Sequence, residues 1–250
     1  MRLIFSRKGF DGSSGKAPSP IIEGVPMSLP IPTRHRSTTT YRALGMGELV
    51  EKMTKGRIVA DDLCHEDPVF QDGRWAFGQT GAAQSHLERN GVGIGDVFLF
   101  FGLFASHEGR DRHHRIFGYL EVNEVYLVGQ RPSEIDSPVG FDRRHPHTIG
   151  EWNRNNTIYV GAGAKAGHAH PFLRLTRPHS LPSVWHIPAW LKGAGLTYHS
   201  NPDRWIGDHE LRSAARGQEF VANIGDEEEP RRWLRTIQPA VDENHSNSHL

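Results

Sequence analysis

The chain's first strand-like run, RLIFS, opens at once into SRKGFDGSSGKAPSP, residues 6–20. Arg7 and Lys8 bring positive charge, Asp11 brings a carboxylate, and the glycines and serines leave backbone N–H groups free. That mixture can bind an anion in a backbone nest flanked by cations. Asp11 can orient the cations or act as a base. The spacing is not that of a P-loop. Gly9 to Gly15 holds one residue too many, and Ala17 follows Lys16. Pro18 and Pro20 forbid the helix whose N-terminus would take the phosphate. The structural alternative is a solvated turn, since Gly and Ser favour turns for backbone reasons alone.

Further groups with chemical capacity follow. CHEDP places His65 and Asp67 two residues apart, on one face of an extended chain, as an acid–base pair or a metal-holding pair. An Asp-Pro turn with a satisfied histidine competes with that reading. FGQTGAAQSHL carries Gln79, Gln84 and His86 around a helix, and amides suit the edge of a base. HEGRDRHHR, residues 107–115, is the densest cationic stretch and could grip phosphate or simply be a solvated hairpin tip. RGQEF offers Arg216, Gln218 and Glu219 at the end of a predicted helix, where Arg216 can fork onto a phosphate or carboxylate. HPH (145–147) and HAH (168–170) have metal-like spacing, but no third ligand can be chosen from sequence. The expectation is therefore a site without metal, its cofactor unknown. A G-x-S-x-G elbow, an H-E-x-x-H motif and a dinucleotide fingerprint are all absent.

The elements that must hold these residues are those of a loop-rich fold. Hydrophobic residues are 36% of 250, with 27 Gly and 16 Pro, so long ordered connections are expected. Lys+Arg and Asp+Glu are both 29, so any nucleic-acid contact needs a local basic patch. The single Cys64 excludes an internal disulfide and a thiolate-rich metal site. No run reaches the roughly 18 apolar residues of a membrane span, and the apolar start is too short for a signal peptide. The expectation is a cytoplasmic protein without membrane contact.

DVFLFFGLF, 96–104, predicts a central strand covered on both faces. Further strands are predicted at 2–6, 115–128, 156–161, 172–176 and 183–188. Helices are predicted at 45–56, within 76–96 after an N-cap at Thr80, at 208–220 and at 228–237. The five prolines of 17–32 require extended chain. The reading is one α+β domain over 1–240, followed by a disordered polar tail, 241–250.

Several stretches together resemble a nucleotide-modification-associated domain family, the third of the numbered families of that name. They are LIFSRKGFDGSSGKAPSPI, SLPIP, AFGQTGAAQSHL, GVGIGDVFLFFGLF, HRIFGYLEV, NTIYV, SVWHIPAWL, LTYH and RGQEFV, spread over about residues 1 to 222. The resemblance implies a part in systems that modify DNA bases, with partner enzymes of such a system. It implies that Arg7, Lys8, Asp11, His65, Asp67, Gln79, Gln84, His86, His114, Arg216, Gln218 and Glu219 lie in motif blocks. GIGDVFLFF followed by IFGYLEVNEV also resembles small β-barrels of the PUA, ASCH and EVE type, which hold a nucleobase in a pocket. That likeness implies a mixed, mainly antiparallel, barrel-like core with peripheral helices.

The resulting expectation is an enzyme or accessory protein acting on a nucleotide or DNA base, as a transferase or hydrolase. Asp11, His65 and Asp67 are its candidate catalytic groups. Its alternatives are a reader of modified bases and a metal-dependent hydrolase using His145, His147 and the 107–114 histidines.

Overall fold

The computed structural model describes residues 1–12, 14–71, 74–106, 111–132 and 143–242. In chain order its elements are β1 (Arg2–Arg7), β2 (Ser19–Ile22), β3 (Val25–Pro26), β4 (Ile31–Pro32), α1 (Gly47–Thr54), β5 (Cys64–His65), β6 (Val69–Gln71), β7 (Arg74–Gln79), α2 (Gly81–Arg89), β8 (Val97–Ser106), β9 (His113–Leu127), β10 (Thr157–Lys165), β11 (Val184–His186), α3 (Trp190–Ala194), β12 (Trp205–Ile206), β13 (Glu210–Arg212), β14 (Glu219–Asn223) and α4 (Glu228–Asp242).

The apolar run at 97–104 dictates the centre. In β8, Val97, Leu99 and Phe101 enter one core cluster, while Phe98, Phe100 and Phe104 enter another on the opposite face. Alternation puts successive side chains on opposite faces, so a strand apolar at every position must be covered twice. β1 divides the same way, with Leu3 and Phe5 on one side and Ile4 on the other. The strands run β14-β1-β8-β9-β10-β7-β6, with β2 also on β8 and β3 on β2. β1 and β2 lie parallel to β8, and the other pairs of this sheet are antiparallel.

The α+β class therefore stands, but the sheet is open rather than barrel-like. The path ends at β14 and β6. β6 is three residues long and follows Pro68, which cannot donate to a ladder. α4 closes one face through Leu234, Ile237, Ala240 and Val241. Its last two residues occupy the start of the stretch expected as a tail, and 243–250 lie outside the described residues. Among the described residues, no helix is long and apolar enough to cross a membrane.

One expectation fails in a way that matters for the site. The helix predicted at 208–220 is instead β13, a turn and the start of β14. Glu219–Asn223 pairs with β1 along its whole length, with Phe220 in one core cluster and Val221 in the other. Gly217, at φ +89°, ends any helical path before that strand. Pairing and two-sided burial override local helix preference. Residues 74–79, for which the sequence predicts no element, form β7, and α2 follows the expected cap at Thr80. The strand predicted at 172–176 reduces to a 3₁₀ turn at Pro171–Leu173 and single bridges from Arg174 and Thr176.

Candidate functional site

The ends of β1, β5, β7 and β14 meet around one cavity of about 370 Å³. Arg7, Lys8, Asp11, His65, Asp67, Gln79 and Gln218 all line it, joined by Thr80, His147 and Trp152. Residues as far apart in the chain as Arg7 and Gln218 are thus neighbours, because β1 sits between β8 and β14.

The two cations are not free clamps. The Arg7 guanidinium donates to the carbonyls of Ala214 (2.8 Å) and Ala215 (3.1 Å) and lies over the rings of Phe101 and Phe220. Burial pulls its pKa down, against Asp11. Lys8 Nζ donates to Glu219 Oε1 at 3.1 Å and sits 4.1 Å from the Phe77 ring centre. Glu219 is buried, and its Oε1 also accepts from Gln79 Nε2 at 2.8 Å. Glu219 therefore serves beneath the wall as the counter-charge of Lys8. Asp11 Oδ1 accepts the Ser14 N–H at 2.7 Å, which closes the glycine-rich turn.

A denser cluster forms the opposite wall. Asp67 Oδ1 accepts the Gly78 N–H at 2.9 Å. His145 Nε2 lies 3.3 Å from the same oxygen, yet it is fully buried and makes no hydrogen bond. Asp67 Oδ2 faces His65 Nε2 at 3.6 Å and His147 Nε2 at 3.7 Å. Burial pushes the Asp67 carboxyl up, but the contacts of His145 and His65 more than offset it and hold it well below the usual carboxylate range. Burial also drives His147 down to about 3, against the pull of Asp67. A low Asp67 draws on charge at His147, whereas burial keeps that ring neutral. The neutral form is the consistent one. Asn156 Nδ2 donates to the His147 carbonyl (2.9 Å), so its Oδ1 faces His147 Nδ1 at 2.6 Å and takes one ring proton.

Sequence explains why this wall is possible. A Cβ on Gly78 would come within 2.3 Å of His147 Cδ2 and Cγ, so only glycine lets the ring lie there. Trp152 stacks on His147 with ring centres 4.1 Å apart, and the Arg36 guanidinium carbon lies 4.3 Å from the indole.

A family model described as nucleotide modification associated domain 3 matches residues 2–223. The chain belongs to that family. No curated protein and no solved structure matches it.

Not every expected site residue of this family member reaches the cavity. Gln84 is buried behind it, accepting from the Tyr159 hydroxyl and donating to Glu88, both at 3.2 Å. His86 Nε2 meets Thr197 Oγ1 at 3.0 Å, and its ring lies 4.7 Å from that of Tyr198, which packs against Gly217. Both hold the wall from behind. His114 accepts from Trp185 Nε1 at 2.9 Å and lines a second cavity of about 580 Å³, across the Arg7–Asp11 segment. Arg216 is exposed and does not line the first cavity. His168 and His170 stand apart from the cluster, and His107 lies outside the described residues.

The sequence reading missed the meeting of His147 with the His65–Asp67 pair, and the parts of Gly78, Asn156 and Trp152. H-x-H spacing was the only available signal. It works through a 3₁₀ turn, Pro146–Thr148, rather than an extended strand.

Proposed function

We propose that this cavity binds a nucleotide or an extruded DNA base and acts on it within a base-modification pathway. One observation carries the reading. The polar motifs around Arg7–Asp11, His65–Asp67, Gln79–Thr80 and Gln218 converge on a single concave site in a member of a nucleotide-modification family. Its volume falls within the about 300–1,000 Å³ range of small-ligand sites. In this reading Gln218 and the Thr80 hydroxyl read the polar edge of the ring. Thr80 Oγ1 is buried without a hydrogen-bond partner, a donor that a ligand would satisfy. Asp67 and His65 stand at the reacting end. Asp11 shapes the entrance and remains a candidate base. The cytoplasm is where such a substrate is met.

A second reading is a non-catalytic reader of the same kind of ligand. Arg7 and Lys8 are spent on internal partners, so the site favours a base over a phosphate chain. Nucleoside mass spectrometry decides between the two. DNA from cells expressing the protein with its genomic neighbours is compared with DNA from the Asp67→Asn variant. A mass-shifted nucleoside that vanishes in the variant is the expected result. Unchanged nucleosides together with tight binding to modified oligonucleotides would transfer the assignment to the reader.

A further inference from the structure

We propose that His65, Asp67 and His147 bind one divalent first-row transition-metal ion on the cavity wall. The inference goes beyond nucleotide binding and does not depend on it. Ligand atoms from the three residues lie within 4.8 Å of one another. The two Nε2 atoms are 3.6 and 3.7 Å from Asp67 Oδ2. Around an ion with bonds of about 2.0–2.2 Å, neighbouring donor atoms stand about 3.3 Å apart. Each imidazole–carboxylate gap closes with a few tenths of an ångström.

The hydrogen bonds outside the cluster agree with the distances. His147 gives its Nδ1 proton to Asn156 Oδ1, which leaves a lone pair on Nε2 of the neutral ring. That lone pair points at a carboxylate oxygen. Two acceptors facing each other repel unless a proton or a metal ion lies between them. Asn156 is itself fixed by its bond to the His147 carbonyl, and Asp67 Oδ1 is fixed by the Gly78 N–H. Oδ2 is left directed at the two rings. Outer contacts of this kind orient metal ligands and set their tautomer. His145 Nδ1 accepts the His147 N–H at 3.2 Å, which places the proton of the neutral ring on Nε2, 3.3 Å from Asp67 Oδ1, where it can donate to the carboxylate once that settles on the ion.

The donor set selects the metal class. Two imidazoles and one carboxylate suit Zn²⁺, Fe²⁺, Co²⁺ or Mn²⁺ and not an all-oxygen cation. The three residues all line the cavity, so the remaining coordination positions face it. A ligand held there would meet the ion directly and be polarised by it.

Metal content decides the proposal. The purified full chain is stripped with a chelator, then loaded with Zn²⁺, with Co²⁺, or with Fe²⁺ under anaerobic conditions. Elemental analysis and the visible Co²⁺ spectrum are read after dialysis. One ion per chain is expected. His65→Ala changes a partly exposed side chain and should leave the circular dichroism intact while weakening metal affinity at least tenfold. Asn156→Ala should weaken it about 10–100-fold. A loaded wild-type chain holding under about a tenth of an ion overturns the proposal, as does wild-type affinity in folded His65→Ala. A chain that binds nucleotide but takes up no metal overturns this inference alone. A loaded chain that binds no nucleotide overturns the preceding reading alone.

Discussion

At the scale of single residues, the site is held by groups that cannot be exchanged for their near relatives. Gly78 is the clearest. Gly78→Ala should push the His147 ring off its seat, destabilise the fold by about 1–3 kcal/mol and weaken ligand binding. Chemical denaturation and titration calorimetry read both effects. Thr80→Val should behave in the opposite way. It removes a buried hydroxyl that has no partner, so stability should hold or rise by up to about 1 kcal/mol while ligand affinity falls. Glu219 is a third case. Glu219→Ala strands the largely buried Lys8 and should cost about 3–5 kcal/mol, whereas the pair Lys8→Met with Glu219→Leu should recover most of it. Urea midpoints of the three proteins test the pair. A double variant no more stable than the single one would show that the cost lies elsewhere.

At the scale of elements, the strand ends bring the chemistry and the helices stay behind it. α4 covers the sheet face that holds Phe5, in one core cluster with Trp185 of β11, away from the cavity-lining residues. Ile237, 1% exposed, is part of that cover. Ile237→Ala should cost about 2–5 kcal/mol through a cavity the core cannot refill. Binding by the folded fraction should be unchanged, and loss of binding at full folding would refute that separation. The strand assignments most open to error from sequence were β7 and β14, the two that carry Gln79 and Glu219. Both are short and contain residues that favour other states alone. Their partners β10 and β1, distant in the chain, make them strands.

At the scale of the whole molecule, charge and protonation set the working range. Burial holds His113 near 4 and His114 near 3, so both are neutral when folded at neutral pH. Unfolded, each titrates near 6.5. Below that pH the unfolded chain takes up protons that the folded one refuses. Stability should therefore fall as pH drops from about 6.5, by at most about 1.4 kcal/mol per pH unit for each ring. Above pH 7 these rings contribute no slope. Urea midpoints at pH 7.5, 6 and 5 check the sign. The charges also form a local patch despite the zero net balance. Arg112 and Arg204 line the second cavity with Arg7, across the Arg7–Asp11 segment. If a DNA strand runs there, Arg112→Glu and Arg204→Glu should weaken DNA binding and flatten its salt dependence. Unchanged affinity at low salt would exclude that path.

By itself the sequence determined the elements whose burial is written into their composition. The run of phenylalanines at 97–104 had to be covered twice, and the glycine-rich exit from β1 had to turn. Its motif blocks also carried the family and most of the cavity wall, including Arg7, Lys8, Asp11, His65, Asp67, Gln79 and Gln218. Only the tertiary structure decided what those residues do for one another. It turned Arg7 and Lys8 inward onto carbonyls and Glu219, set Gln84 and His86 behind the wall, and carried His147 across the chain to Asp67. The reason is physical. Alternation and turn chemistry act over a few residues and are legible in any window of sequence. The pairing of β1 with β14 and the seating of an imidazole on Gly78 join positions far apart in the chain. No local pattern encodes that distance.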